Sequence, residues 1–227
     1  MDKNVWIVIA AYNEGHSVPN VVKGLQKAGY ANIVVVDDGS KDNTFESAGK
    51  TGAIVLQHVI NRGQGASLKT GIDYALQQNA DIIVTFDADG QHRVEDLPAI
   101  IQPIADGEAD ISFGSRFLRK TKVPLMRKIL LKGSIGVIWL FYGIRMTDAH
   151  NGFRALSRYA AQKIRITADR MEHASEFIEE TKRNQLKYAE VPVVIKYTEA
   201  TLKRGHGGVQ QALKVFNSML FKKLFPR

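Results

Sequence analysis

The chain has 227 residues, of which 44% are apolar and 24% charged, with a formal net charge of +8. That size and balance suit a chain that buries its own core, and they exclude a disordered or collagen-like one. The absence of cysteine excludes disulfides, thiolate metal sites and a cysteine nucleophile.

The chain opens on a charged, strand-like segment with no apolar signal core behind a basic start, so a cytoplasmic location is expected. Short runs rich in Val and Ile predict buried strands at 5–11, 33–37, 53–58, 81–86 and 109–113. Between them lies helical spacing: Val18, Val21, Val22 and Leu25 share one face, as do Leu68, Ile72, Ala75 and Leu76. Strand and helix in alternation predict an α/β fold, a largely parallel sheet with helices on both faces. The second half is less regular. One or two amphipathic helices are expected at 124–145, another helix at 174–183, and a strand pair interrupted at Pro192 within 186–197. A last helix is expected over 208–224, with Val209, Leu213, Phe216, Leu220 and Leu224 in one stripe. With no repeat, low-complexity tract or linker, residues 1–227 read as a single domain.

Charge is unevenly placed. Residues 116–147 and 201–227 carry +14 between them with no acid, so the remainder of the +8 chain carries −6. The longest uncharged apolar run, residues 133–144, has 12 residues, short of the ~18–20 that a spanning helix needs. Apolar residues flanked by cations in 124–145 suit a membrane interface with anionic headgroups, although packing against the sheet is the competing reading. Trp139, Phe141 and Tyr142 are expected to be buried in an apolar helix rather than displayed as a stacking platform, so no nucleic-acid role is expected.

Three polar loops follow predicted parallel strands: Tyr12-Asn13-Glu14-Gly15, Asp37-Asp38-Gly39-Ser40 and Asp87-Ala88-Asp89-Gly90-Gln91. In open α/β sheets the ligand crevice lies beyond those strand ends, so the loops should converge on one rim. Asp87 and Asp89, two residues apart, can reach one hard cation such as Mg²⁺ or Mn²⁺, with Gln91 adding a neutral oxygen. A solvated acidic turn is the plainer alternative. Asp37 and Asp38 are either turn and capping residues or acceptors for a nucleobase or ribose. Asn61-Arg62-Gly63-Gln64-Gly65 precedes a helix, but Leu68 occupies the glycine position that either a P-loop or a dinucleotide fingerprint requires. Free amides at that helix start, near Gly65, can still meet an anion.

The ordered set A-A-Y-N-E (10–14), D-D-G-S-K-D (37–42), N-R-G-Q-G (61–65), D-A-D-G-Q-H (87–92) and G-S-R-F (114–117) resembles the inverting glycosyltransferases of family two, with their glycosyltransferase-A fold. N-G-F-R (151–154), after Asp148, is similar to the subgroup that contains dolichyl-phosphate mannose synthase and bacterial polyprenyl-phosphate sugar transferases. The resemblance implies a UDP- or GDP-linked sugar donor and a lipid phosphate acceptor. Residues 1–115 would form the donor half and 116–227 the acceptor half, peripheral on the inner face of a membrane. By the same resemblance Ala10, Tyr12, Asn13, Glu14, Asp38, Gly39, Gly65 and Ala88 would bind the nucleotide-sugar. Asp87, Asp89 and Gln91 would hold the metal. Arg116, Lys132 and Arg154 would meet the acceptor phosphate, and Asp87, Asp89 and Arg116 would carry catalysis. Two departures stand out. Ala10 replaces the family's usual proline, and the basic R-x-x-G-x-S-K signature is absent, with Lys203-Arg204-Gly205-His206-Gly207 in its region. A sugar hydroxyl as acceptor would require a carboxylate base, for which Asp148 and Glu176 are the candidates. A sugar nucleotidyltransferase or a non-catalytic nucleotide-binding protein are the remaining alternatives.

Overall fold

The computed structural model describes residues 3–119, 135–136, 139, 143–148 and 151–196. The helix expected over 208–224, most of the segment 124–145, and Lys132 lie outside the described residues.

Seven described strands form one sheet in the order β3-β2-β1-β4-β6-β5-β7. They are β1 Val5–Ala11, β2 Ile33–Asp37, β3 Ile54–Gln57, β4 Ile82–Asp87, β5 Ile111–Ser115, β6 Arg154–Ser157 and β7 Tyr188–Pro192. The helices are α1 Val18–Lys27, α2 Thr44–Gly49, α3 Gln64–Gln77, α4 Leu97–Ala105, α5 Arg158–Lys163 and α6 His173–Arg183.

Period-two alternation sorts the apolar side chains into two layers. Val8, Val34, Val36 and Ile83 point to one face and pack with Leu68 and Ile72 of α3 and Phe177 of α6. Ile7, Ile9, Val35 and Val84 point to the other and pack with Val18, Val22 and Leu25 of α1 and Leu97 and Ile100 of α4. Both faces are covered, which is why β1, β2 and β4 are near-continuous apolar runs. β1 and β2 have the expected bounds, and β1 pairs in parallel with both β2 and β4.

The sheet departs from the expected pattern beyond β4. β5 does not neighbour β4, because the unforeseen β6 runs antiparallel between them. Arg-Ala-Leu-Ser is four residues long and its first three are buried, so it shows no alternation to reveal it. β5 runs through Gly114 and Ser115, so those residues end the strand instead of following it. The expected strand pair around Pro192 is one strand, β7, parallel to β5. Proline is tolerated there because β7 is an edge strand of the described sheet and the ladder bonds to β5 come from its neighbours, so the missing N–H faces away from the sheet. Beyond it the chain stays extended: Val193 N donates to Ser115 O at 3.0 Å, and Ile195 bridges to His92. Among the described residues no helix is long and apolar enough to cross a membrane.

Candidate active site

Strand register builds the site. Ala11 of β1 lies opposite Asp37 of β2, and Ala10 lies opposite Asp87 of β4. All three polar loops therefore leave the sheet at one rim, around a cleft of about 350 Å³. Ala10, Tyr12 and Glu14 wall it on one side, Asp38, Asn61 and Gly63 on a second, and Asp87, Ala88 and Asp89 on a third. Gln64 and Ser67, from the first turn of α3, complete the lining.

The first loop is clamped to the second. Asn13, in the left-handed region at φ 55, donates its N–H to Ser40 Oγ (2.9 Å) and accepts from Lys41 N through Oδ1 (2.9 Å). Glu14 N donates to Thr44 Oγ1 (2.8 Å) and Gly15 N to Asp42 Oδ2 (3.1 Å). Asn13 thus acts through its neighbours, while Tyr12 and Glu14 reach the cleft.

The two adjacent aspartates differ. Asp37 is a turn residue, accepting from Ser40 N at 3.2 Å and Gln57 Nε2 at 2.9 Å. Asp38 organises the opposite wall: it accepts from Asn61 Nδ2 (2.9 Å), Arg62 N (3.0 Å) and Gly63 N (2.7 Å). His58 Nδ1 lies 2.7 Å from its Oδ1, while His58 Nε2 lies 3.0 Å from Thr70 Oγ1 on α3. His58, Asn61 and Gln64 were not foreseen as site residues. The glycines of N-R-G-Q-G were their signal. A Cβ on Gly65 would collide with Ala168 O, because the 168–172 segment lies directly on the start of α3. There Asp169 O accepts from Ala66 N at 3.1 Å.

The third loop carries the carboxylates. Asp87 ends β4 with its side chain 29% exposed; its Oδ1 accepts from Gln64 Nε2 at 3.2 Å, and His92 Nε2 lies 2.9 Å from Oδ2. Burial works to raise the Asp87 carboxyl, but His92, then Arg154 and His173, outweigh it and hold the group below the usual carboxylate range. Asp89 moves the other way, raised by burial and by the charge of Asp87. Gln91 fixes it, donating N–H to Oδ1 at 2.9 Å and Nε2 to Oδ2 at 2.5 Å. Two mutually repelling carboxylates on one cleft wall, with an amide beside them, are a donor set of hard oxygens that suits Mg²⁺ or Mn²⁺. Among the described residues no group of three or more Asp, Glu, His or Cys side chains is arranged to hold a metal ion. Such an ion would need further oxygens from a ligand.

The residues expected on the acceptor side are mostly buried. Arg116 is 5% exposed, and its Nε donates to Asp148 Oδ2 at 2.6 Å. Glu190 of β7 pins the neighbouring turn by accepting from Thr147 N (2.8 Å) and Asp148 N (3.2 Å). Arg154 is also buried, with its Cζ 4.6 Å from the Phe177 ring centroid. Glu176 accepts from Thr167 N (2.9 Å), Thr167 Oγ1 (2.6 Å) and Ala168 N (2.8 Å), so it anchors the segment over α3. Asp148 and Glu176, the two candidate bases, are both committed to internal partners. Trp139, expected to be buried, is instead half exposed, with the Arg145 guanidinium 5.7 Å from its ring centroid.

Residues 6–165 match the family model described as Glycosyl transferase family 2. An uncharacterized protein of Methanocaldococcus jannaschii is 41% identical over 226 residues, covering 97% of this chain and 93% of its own length. The UDP-N-acetylglucosamine–dolichyl-phosphate N-acetylglucosaminyltransferase of Methanococcus voltae is 35% identical over 245 residues, with 98% of this chain and 97% of that protein covered. Glucosyl-3-phosphoglycerate synthase from Mycobacterium tuberculosis, solved in complex with Mn²⁺, UDP and glucosyl-3-phosphoglycerate, superimposes with a TM-score of 0.74 at 15% identity. That superposition covers 96% of this chain and 80% of the other, and it places the sheet among glycosyltransferase-A folds. The protein is therefore a glycosyltransferase. More particularly, the chain belongs to glycosyl transferase family 2.

Proposed function

We propose that the protein is a metal-dependent inverting transferase that moves a sugar from a UDP- or GDP-linked donor to a polyprenyl phosphate. One observation carries this reading: Asp87 and Asp89 wall the same cleft as Ala10, Tyr12, Glu14 and the first turn of α3. In this reading the nucleoside lies between the 12–14 loop and the wall that Asp38 organises. The diphosphate lies toward the first turn of α3, whose dipole favours an anion and whose Gln64 and Ser67 line the cleft. Asp87, Asp89 and Gln91 would hold Mg²⁺ or Mn²⁺, which when bound supplies Lewis-acid stabilisation to the departing nucleoside diphosphate. Ala88 lines the cleft, whereas Gly39 and Gly65 make room for the protein's own 60–61 and 168–170 backbone and so act on the donor only by shaping the cleft walls, as Asn13 does by fixing the loop that carries Tyr12.

The state of the carboxylates supports a phosphate acceptor over a hydroxyl. A phosphate is already anionic at neutral pH and needs no base, whereas a hydroxyl must lose a proton to one. Asp148 is held by Arg116, and Glu176 by Thr167 and Ala168. The M. voltae relative, named for transfer from UDP-N-acetylglucosamine to dolichyl phosphate, adds support for both substrate classes. Arg116, held by Asp148, is the proposed acceptor-side cation. The acid-free basic segments 116–147 and 201–227 would draw the protein to an anionic membrane face. The test is transfer from radiolabelled UDP- and GDP-sugars to polyprenyl phosphate in detergent. Label in the lipid phase, absent when free saccharide replaces the lipid, is expected; label only in saccharide would refute the assignment.

A further inference from the structure

Behind the Asp87 carboxylate the sheet buries a permanent cation. Arg154 of β6 is the register partner of Thr85, two residues before Asp87 on β4. Just ahead of β6, Gly152 lies against the carboxylate: a Cβ there would stand 2.7 Å from Asp87 Oδ1, and Gly152 O is held by Thr85 Oγ1 at 2.6 Å. Arg154 is 1% exposed, lies over the Phe177 ring, and leaves Nε and Nη1 without a hydrogen-bond partner. A buried guanidinium is ordinarily paired bidentately with a carboxylate, because its desolvation is costly. This one acts on Asp87 and Asp148 through its field. Burial lowers it to about 10, so it is still charged at neutral pH.

We infer that Arg154 is a positioning cation that stands in for part of the metal's charge, so that a bare divalent ion binds weakly and is retained only together with a diphosphate. The inference rests on the metal and donor reading given above. With Arg154 counted, the Asp87–Asp89 pair presents one net negative charge instead of two, a weak site for a lone divalent cation. The same positive charge attracts a diphosphate before any metal arrives. The metal and the diphosphate attract each other directly, so their binding is linked, each strengthening the other by the same factor, and Arg154 sets how weakly the metal binds without its partner.

The test replaces the charge and reads two affinities of opposite expected sign. Mn²⁺ alone is titrated by electron paramagnetic resonance, and UDP and GDP are titrated by calorimetry in EDTA, for wild type, Arg154→Met and Arg154→Lys. Arg154→Met should bind Mn²⁺ about tenfold tighter and the diphosphate about tenfold more weakly, as loss of one charge in a partly desolvated site dictates. Arg154→Lys should keep both near wild type. A role in packing alone would weaken both affinities in Arg154→Met, and that result, or an unchanged Mn²⁺ affinity, overturns the inference while leaving the donor reading intact. Wild type that binds neither Mn²⁺ nor nucleoside diphosphate, singly or together, overturns both. If Arg154→Met does not fold, Arg154→Gln removes the charge with a polar side chain and is read in the same way.

Discussion

Ala10 on β1 and Asp87 on β4 are register partners, so the loop that follows β1 and the carboxylate that ends β4 are held side by side on one piece of sheet. Parallel pairing fixes this relation from Val5 and Ile82 onward, and both strands are buried along nearly their whole length. The rim is consequently rigid where the proposed metal and diphosphate must be held together.

Loss of a proposed metal carboxylate should therefore remove chemistry and not fold. Asp89→Ala should lower transfer by roughly 10³-fold, since Lewis-acid stabilisation of a leaving group is worth several kcal/mol. Circular dichroism should be unchanged. EDTA should silence the wild type, and Mn²⁺ or Mg²⁺ should restore it. Full activity in EDTA would contradict the assignment.

Glu176 should matter to stability more than to transfer. Its carboxylate accepts three hydrogen bonds from Thr167 and Ala168. Glu176→Ala should cost about 2–3 kcal/mol in urea unfolding, the scale for stripping a charged acceptor from buried donors. Glu176→Gln, assayed at a temperature where it is folded, should retain transfer to within a few fold. A complete loss of turnover at unchanged stability would make Glu176 a base instead.

The Arg116–Asp148 pair is buried on both sides. Asp148→Ala strips Arg116 of that partner and should cost about 3–5 kcal/mol, as removing one half of a buried pair does. Arg116→Met combined with Asp148→Ala should recover part of the loss. The readout is the double-mutant cycle in chemical denaturation.

Acid should weaken the fold through His173. Burial, followed by the charge of Arg154, lowers His173 from 6.5 to about 4. The unfolded chain then binds more protons than the folded one between these values. The contribution is fully present above pH 6.5 and is lost as pH falls toward 4, on the order of 3 kcal/mol in all. His173→Gln should flatten the stability profile over that window relative to wild type. Parallel profiles for the two proteins would count against it.

Much of this was legible in the sequence. β1 and β2 were legible to the residue because both lie buried in a parallel sheet, where runs of Val and Ile end on polar loops. The three-loop rim was legible for the same reason. β6 was not, because Arg-Ala-Leu-Ser is short and its antiparallel partners are set by tertiary packing alone. The parts played by Asp38 and Glu176 were hidden too. A carboxylate that binds its own backbone and one that faces a ligand look alike in sequence, and only the partners Gly63 N and Thr167 N separate them. His92 stood inside a recognised motif, yet its approach to Asp87 depends on a loop closed by Ile195, far along the chain.

The most direct test is nucleotide binding as a function of metal, read by thermal shift across UDP, GDP, ADP and CDP with Mn²⁺ or with EDTA. One nucleoside diphosphate should stabilise the wild type by several degrees with Mn²⁺ and far less in EDTA, and Asp87→Asn with Asp89→Asn should erase the difference. Equal stabilisation with and without metal, or a metal effect that survives in the double variant, would contradict the account.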